Sequence, residues 1–212
     1  MSHAGVRVCT RCGGIIHTDE PSKAYVCIGK GIKFHPFDPC YADIDIDTIA
    51  QGLAGINRFG GHHKFEWMSV AEHSINVSRL SKYPMLALLH DAPEGLGAGD
   101  MLSPVKRHIP AYQFMEDRVF NAVLHKFKIV VDDKMKREVK VQDYRMLSYE
   151  QMELGPDVEW IRAEITSRGH GPVPREIEFH CWSPDVARQK FLDEFYRLAR
   201  EEKWPPRRSQ RP

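Results

Sequence analysis

With 212 residues, 42% of them hydrophobic, and 30 basic against 29 acidic side chains, the chain is long enough for one domain with a real core. Near-zero net charge leaves no chain-wide field to draw it onto nucleic acid or an anionic membrane, so any anion it binds must be held locally. The apolar runs, such as residues 85–89, are far too short to span a bilayer, and no apolar signal-peptide core opens the chain, so a cytoplasmic location is expected.

Residues 1–41 read as a cysteine-containing appendage of loops with one or two short strands, around 24–28 and 32–34. The pattern then turns helical. Asp45 or Asp47 caps a first helix carrying Ile49, Leu53 and Ile56, which the Arg58-Phe59-Gly60-Gly61 stretch stops. Ser69 with Glu72 three residues on is a capping-box pattern opening a second helix, and residues 81–84 turn the chain. A third helix is expected from Met85 to about Glu94, followed by a glycine-rich loop over residues 95–100. Further helices are expected from Pro110 to about Lys126 and from Asp132 to about Leu154. Residues 155–183, broken by glycines and prolines, read as a long surface excursion. A last amphipathic helix begins at Ser183-Pro184 and carries Val186, Phe191, Phe195 and Leu198. These elements make an all-α domain over residues 42–204, with a flexible basic tail at 205–212.

The short turn at residues 81–84 makes the second and third helices antiparallel neighbours. His73 lies seven residues before Leu80 and His90 six residues after Pro84, rises of about 10 Å and about 9 Å, so the two imidazoles can sit level. Asp91, about 100° further round, can add a carboxylate. Asp143 is the candidate fourth ligand, because a mid-helix buried carboxylate is costly unless a cation offsets it. Two His and two Asp suit Mn, Co, Fe or Zn and leave room for water and a phosphate oxygen.

The ordered strings 56–59 (INRF), 70–74 (VAEHS), 88–94 (LLHDAPE), 99–106 (GDMLSPVK) and 141–143 (VQD) resemble those of the HD-domain phosphohydrolases. The similarity is to the bacterial 5'-deoxynucleotidases and the phage-encoded enzymes of the group, which include dATP triphosphohydrolases. It covers roughly residues 30–155, and the lead-in over 34–47 is of the phage type. The resemblance implies an HD-domain helical bundle with metal on His73, His90, Asp91 and Asp143, and with Glu94 and Asp100 working on the attacking water. Glu94 also lies three residues after Asp91, on nearly the same helix face. Arg58 resembles the family's phosphate-binding arginine. Lys106 is placed to help hold phosphate charge, Phe59 to pack on sugar or base, and His62, which fits the phage-type pattern, to touch phosphate. The loop between Glu94 and Asp100 is one residue longer than in the bacterial nucleotidases, which loosens the placement of Asp100.

Cys9-Thr10-Arg11-Cys12-Gly13-Gly14 forms a zinc-knuckle-like turn. Cys27 and Cys40, or His17 and His35, are the candidates to complete a structural zinc site; free thiols in an appendage are the other reading.

The expected activity is hydrolysis of a 2'-deoxynucleotide at the α-phosphate by a metal-activated water, with Mg an additional candidate on the substrate phosphates. A dNTP or dATP triphosphohydrolase and a dNMP 5'-nucleotidase both fit. The substrate partner is a small-molecule nucleotide, with no nucleic acid and no membrane, and the resemblance implies a homo-oligomer and, for a phage-encoded chain, the host cytoplasm. The alternative is a non-catalytic nucleotide or nucleic-acid binding HD protein with a zinc-knuckle appendage. A cyclic-nucleotide phosphodiesterase fits the motif set less well.

Overall fold

The computed structural model of the chain describes residues 7–8, 11–13, 15–16, 24–65, 67–169, 174–175 and 177–201. Eight α-helices carry most of these residues: α1 (Ile46–Ala54), α2 (Val70–Leu80), α3 (Pro84–Leu88), α4 (Ser103–Lys106), α5 (Pro110–Lys126), α6 (Asp133–Glu153), α7 (Glu159–Ser167) and α8 (Pro184–Glu201). Two small antiparallel ladders precede them: β1 (Arg7–Val8) on β2 (Ile15–Ile16), and β3 (Val26–Ile28) on β4 (Ile32–Phe34) with Cys27 opposite Lys33. The fold is thus mostly helical with a short β portion near its start. Among the described residues, no helix is long and apolar enough to cross a membrane.

Helix starts follow the expected chemistry. Asp45, not Asp47, caps α1: its carboxylate accepts from Thr48 N and Thr48 Oγ1, both at 2.8 Å. Ser69 accepts from Glu72 N at 3.1 Å at the start of α2, and Asp132 accepts from Met135 N at 2.8 Å at the start of α6. The capping box at α2 is only half made. The Glu72 carboxylate turns away from Ser69 and accepts from three successive amides, His180 N (2.6 Å), Cys181 N (3.1 Å) and Trp182 N (3.0 Å). Those amides belong to no helix or strand, so a buried carboxylate satisfies both itself and them.

Helix α2 is the central element, buried from Val70 to Ser78. On one side lies the main core, where Phe34, Ile49, Leu53, Val70, Ile75, Leu88 and Phe191 are almost fully excluded from solvent. On the other, Val77 and Leu86 meet Val139, Met146 and Tyr149 of α6. Each such side chain stabilises by roughly 1.5–3 kcal/mol, so α2, α3 and α6 are held together from both sides. Ile28 and Phe34 of the β3–β4 hairpin lie in the main core, so this part of the 1–41 segment packs as one with the helical body.

Three expected elements differ in detail. The third helix does not run to Glu94. It ends at Leu88, residues 89–91 form a turn, and a wide π-type turn spans Glu94–Ala98. Pro93 has no N–H and its ring crowds the carbonyl four residues back, which interrupts the ladder there. The 155–183 stretch is largely exposed over its described residues, as a surface excursion would be, but it is more ordered than its glycines and prolines suggest: α7 lies within it, Ile177 is buried, and residues 180–182 are bound by Glu72. The first helix stops at Gly55, and Arg58–Gly61 forms a separate 3-10 turn with Phe59 at φ 55°. The 205–212 tail lies outside the described residues.

Candidate metal centre

Two imidazoles face each other across the α2–α3 junction, their ring centroids 5.4 Å apart. Each is oriented through Nδ1. His73 Nδ1 lies 2.7 Å from Glu150 Oε1, and His90 Nδ1 lies 2.7 Å from the Ala87 carbonyl. An Nδ1–H donated to an oxygen leaves the lone pair on Nε2, the tautomer in which metal-ligating histidines are held. Both Nε2 atoms are buried without a hydrogen bond.

Carboxylates surround those two nitrogens. Asp143 Oδ1 lies 3.3 Å from His73 Nε2 and 3.8 Å from His90 Nε2; Asp91 Oδ2 lies 3.6 Å and 3.2 Å from the same atoms. Lone pairs on two nitrogens facing carboxylate oxygens repel unless a proton or a cation sits among them. The donor set fits a divalent transition metal on that ground. His73, His90 and Asp143 form the tightest group; among the described residues no other cluster of three His, Cys, Asp or Glu side chains offers ligand atoms so close together. Asp143 Oδ2 is held by Lys140 Nζ at 2.7 Å.

The electrostatics agree with the geometry. Burial alone would push the Asp143 carboxyl up, but His73 and His90, with Nε2 at 3.3 Å and 3.8 Å, hold it well below the ordinary carboxylate range when they carry a proton. Burial and the Arg58 charge both work against protonating His73. Glu150 and Asp143 outweigh them and raise its pKa to about 9 without metal. The site therefore holds positive charge, as a proton if not as a cation.

The neighbouring residues divide by role. Glu94 is buried, its Oε2 has no hydrogen bond, and burial with the charges of Asp91 and Asp100 pushes its carboxyl well up, against Arg58 and Lys106. Asp100 is raised by burial and Asp91, opposed by Arg58, His73 and Lys106. Arg58 is buried in an ion pair with Glu150 Oε2 at 2.8 Å; burial would discharge it, but Glu150, Asp100, Asp91 and Glu94 keep it firmly cationic. Its guanidinium carbon lies 5.3 Å from the Phe59 ring centroid. Lys106 is paired to Glu116, half-buried, and 5.5 Å from the Tyr112 ring centroid. His62 is exposed on the loop, and its neighbour His63 is the one tied down, to Asn57 Oδ1 at 2.8 Å.

Glu150 was not anticipated. It binds His73 and Arg58 with its two oxygens and is fully buried. A signal existed: it lies seven residues after Asp143, two helical turns along nearly the same face of α6. For the cysteines, Cys12, Cys27 and Cys40 form no three-ligand group among the described residues, and Cys9 lies outside them.

No family model matches the chain. Two bacterial proteins are similar to it: the uncharacterized protein RCAP_rcc00048 of Rhodobacter capsulatus, 37% identical over 127 residues, and the uncharacterized protein YfdR of Escherichia coli, 36% identical over 117 residues. In each case the match spans 54% of this chain and 64% of the relative, so the similarity extends across a little under two thirds of those proteins' length.

Proposed function

We propose that the chain is an HD-type, metal-dependent phosphohydrolase that cleaves 2'-deoxynucleotides at the α-phosphate. The observation that carries this reading is the pair of imidazoles with both Nδ1 atoms anchored and both Nε2 atoms turned, without hydrogen bonds, toward Asp91 and Asp143. Those four residues would hold the ion, from Mn, Co, Zn or Fe. When bound it supplies a Lewis acid for a phosphoryl oxygen and lowers the pKa of water.

The protein's own groups account for the rest of the chemistry. Arg58, kept cationic chiefly by the Glu150 carboxylate with Asp100 and Asp91, is a fixed charge for a phosphoryl group, and Lys106 adds a second. Water attacks the α-phosphorus, the bond from phosphorus to the 5'-oxygen breaks, and the nucleoside leaves. Asp100 takes the proton from the water. Glu94, held protonated by burial beside Asp91 and Asp100, gives a proton to the 5'-oxygen. A dNTP then yields deoxynucleoside and triphosphate, and a dNMP yields deoxynucleoside and phosphate.

The test is a panel of dNMPs and dNTPs with Mn, Co, Zn and Mg, measuring released phosphate against released triphosphate. Nucleoside release that disappears in His90→Ala and Asp91→Ala supports the reading. Nucleotide binding without turnover at any metal sinks it in favour of a non-catalytic binding protein.

A further inference from the structure

A cleft of about 400 Å³ lies between the β3–β4 hairpin, α1 and the 94–98 turn, and Glu94 is one of its walls. Its volume falls within the roughly 300–1,000 Å³ of small-ligand sites. None of its lining residues is cationic, and Glu94 is acidic, so it is unsuited to a phosphate chain. Its apolar surface comes from Ile28 and Ile56, and its exposed hydrogen-bonding side chain is Gln51, whose carboxamide offers a donor beside an acceptor.

Six glycines line this cleft, and five have a reason in the backbone. Gly29, Gly97 and Gly99 have φ of +48°, +99° and +76°, which disfavour a side chain. Gly52 and Gly95 pack face to face, so that a Cβ on Gly52 would come within 1.9 Å of the Gly95 carbonyl oxygen. Gly55 is different. Its φ of −83° suits any residue, and an added Cβ would press only on the Gln51 carbonyl of its own helix end, at 3.3 Å, and on no other element. Its bareness leaves that stretch of the cleft wall open.

We propose that this cleft receives the nucleoside half of the substrate, with Gln51 reading the edge of the base while the phosphates stay with Arg58, Lys106 and the metal ligands. The assignment rests on the phosphohydrolase reading for its substrate class. Charge divides the nucleotide: its neutral, planar part enters the cation-free cleft, and its anionic part stays with the buried arginine whose charge acts on the Glu94 wall.

Two measurements test it. Cys27, exposed on the wall of the cleft, is followed by mass spectrometry during alkylation with N-ethylmaleimide, with and without unphosphorylated 2'-deoxynucleosides, in the chelator-treated protein. Protection of Cys27 by a deoxynucleoside, lost in Gly55→Leu, is expected. In parallel, kcat and KM are compared for dNMPs and for deoxyribose 5-phosphate. Gln51→Ala and Gly55→Leu, checked for unchanged melting, should raise KM for the preferred dNMP at least about tenfold and leave deoxyribose 5-phosphate unaffected. Turnover with no Cys27 protection and unaltered base preference in both variants overturns the cleft assignment while the phosphohydrolase stands. Protection by deoxynucleosides without turnover of any phosphoester keeps the cleft and discards the phosphohydrolase.

Discussion

Glu150 holds His73 by a 2.7 Å contact to Nδ1 and, with its other oxygen, binds Arg58 at 2.8 Å, so one buried carboxylate orients a candidate metal ligand and a cation together. A substitution there separates the two jobs. Glu150→Gln keeps the shape and one acceptor oxygen but removes the charge, and metal affinity should fall about 10–100-fold with the fold retained. Titration calorimetry with Mn or Co measures it; affinity equal to wild type would show that His73 needs no such partner. Glu150→Ala leaves Arg58 buried and unpaired and should lower stability by about 3–5 kcal/mol.

Without metal, His73 carries its proton up to a pKa of about 9, above the ordinary 6.5. A raised folded-state pKa means that the favourable contribution is complete below pH 6.5 and is lost as pH rises to about 9. Chelator-treated protein should therefore lose melting temperature across that window, and a saturating metal should flatten the slope. Metal binding near pH 7.5 should also release a proton, read as a dependence of calorimetric heat on buffer ionisation enthalpy. A flat profile in the metal-free protein would count against the Glu150 and Asp143 contacts.

Glu72 is a second buried carboxylate with a structural role, since it collects the amides of His180, Cys181 and Trp182. Hydrogen bonds to a charged group contribute about 1.5–3 kcal/mol each, and Glu72→Ala leaves three donors unsatisfied, so a loss on the order of 3 kcal/mol or more is expected. Hydrogen exchange at residues 180–182 should rise most. Protection unchanged there would mean that the segment is held by other contacts.

Gly52→Ala pushes a methyl into the Gly95 carbonyl. Separating α1 from the 94–98 turn should reduce stability by roughly 1–3 kcal/mol and shift Glu94, so that on the proposed phosphohydrolase reading kcat should fall as well. Thermal melts and kinetics on the same preparation check both; Gly55→Ala, whose Cβ comes no nearer than 3.3 Å to the carbonyl of its own helix end, is the milder comparison and should melt closer to wild type than Gly52→Ala.

Local chemistry was legible along the chain wherever a short-range rule decides. Ser69 caps its helix as the capping pattern predicts, Asp45 is one of the two caps open for α1, and the 81–84 turn sets α2 against α3; the His73 and His90 rings come within 5.4 Å, although His90 stands in a turn and not on the helix from whose rise its level is read. What no local rule reaches is the choice between partners far apart in the chain. Glu72 satisfies the capping pattern on paper, yet burial couples it to amides more than 100 residues on. His90 and Asp91 converge on His73 from a turn instead of a helix, because Pro93 breaks the ladder behind them. Arg58 and Glu150, 92 residues apart, meet because α6 packs against α2 and neither charge can stay buried alone. The ligand types come from the sequence; their orientation comes from long-range burial, which leaves each polar group only the partners that packing brings to it.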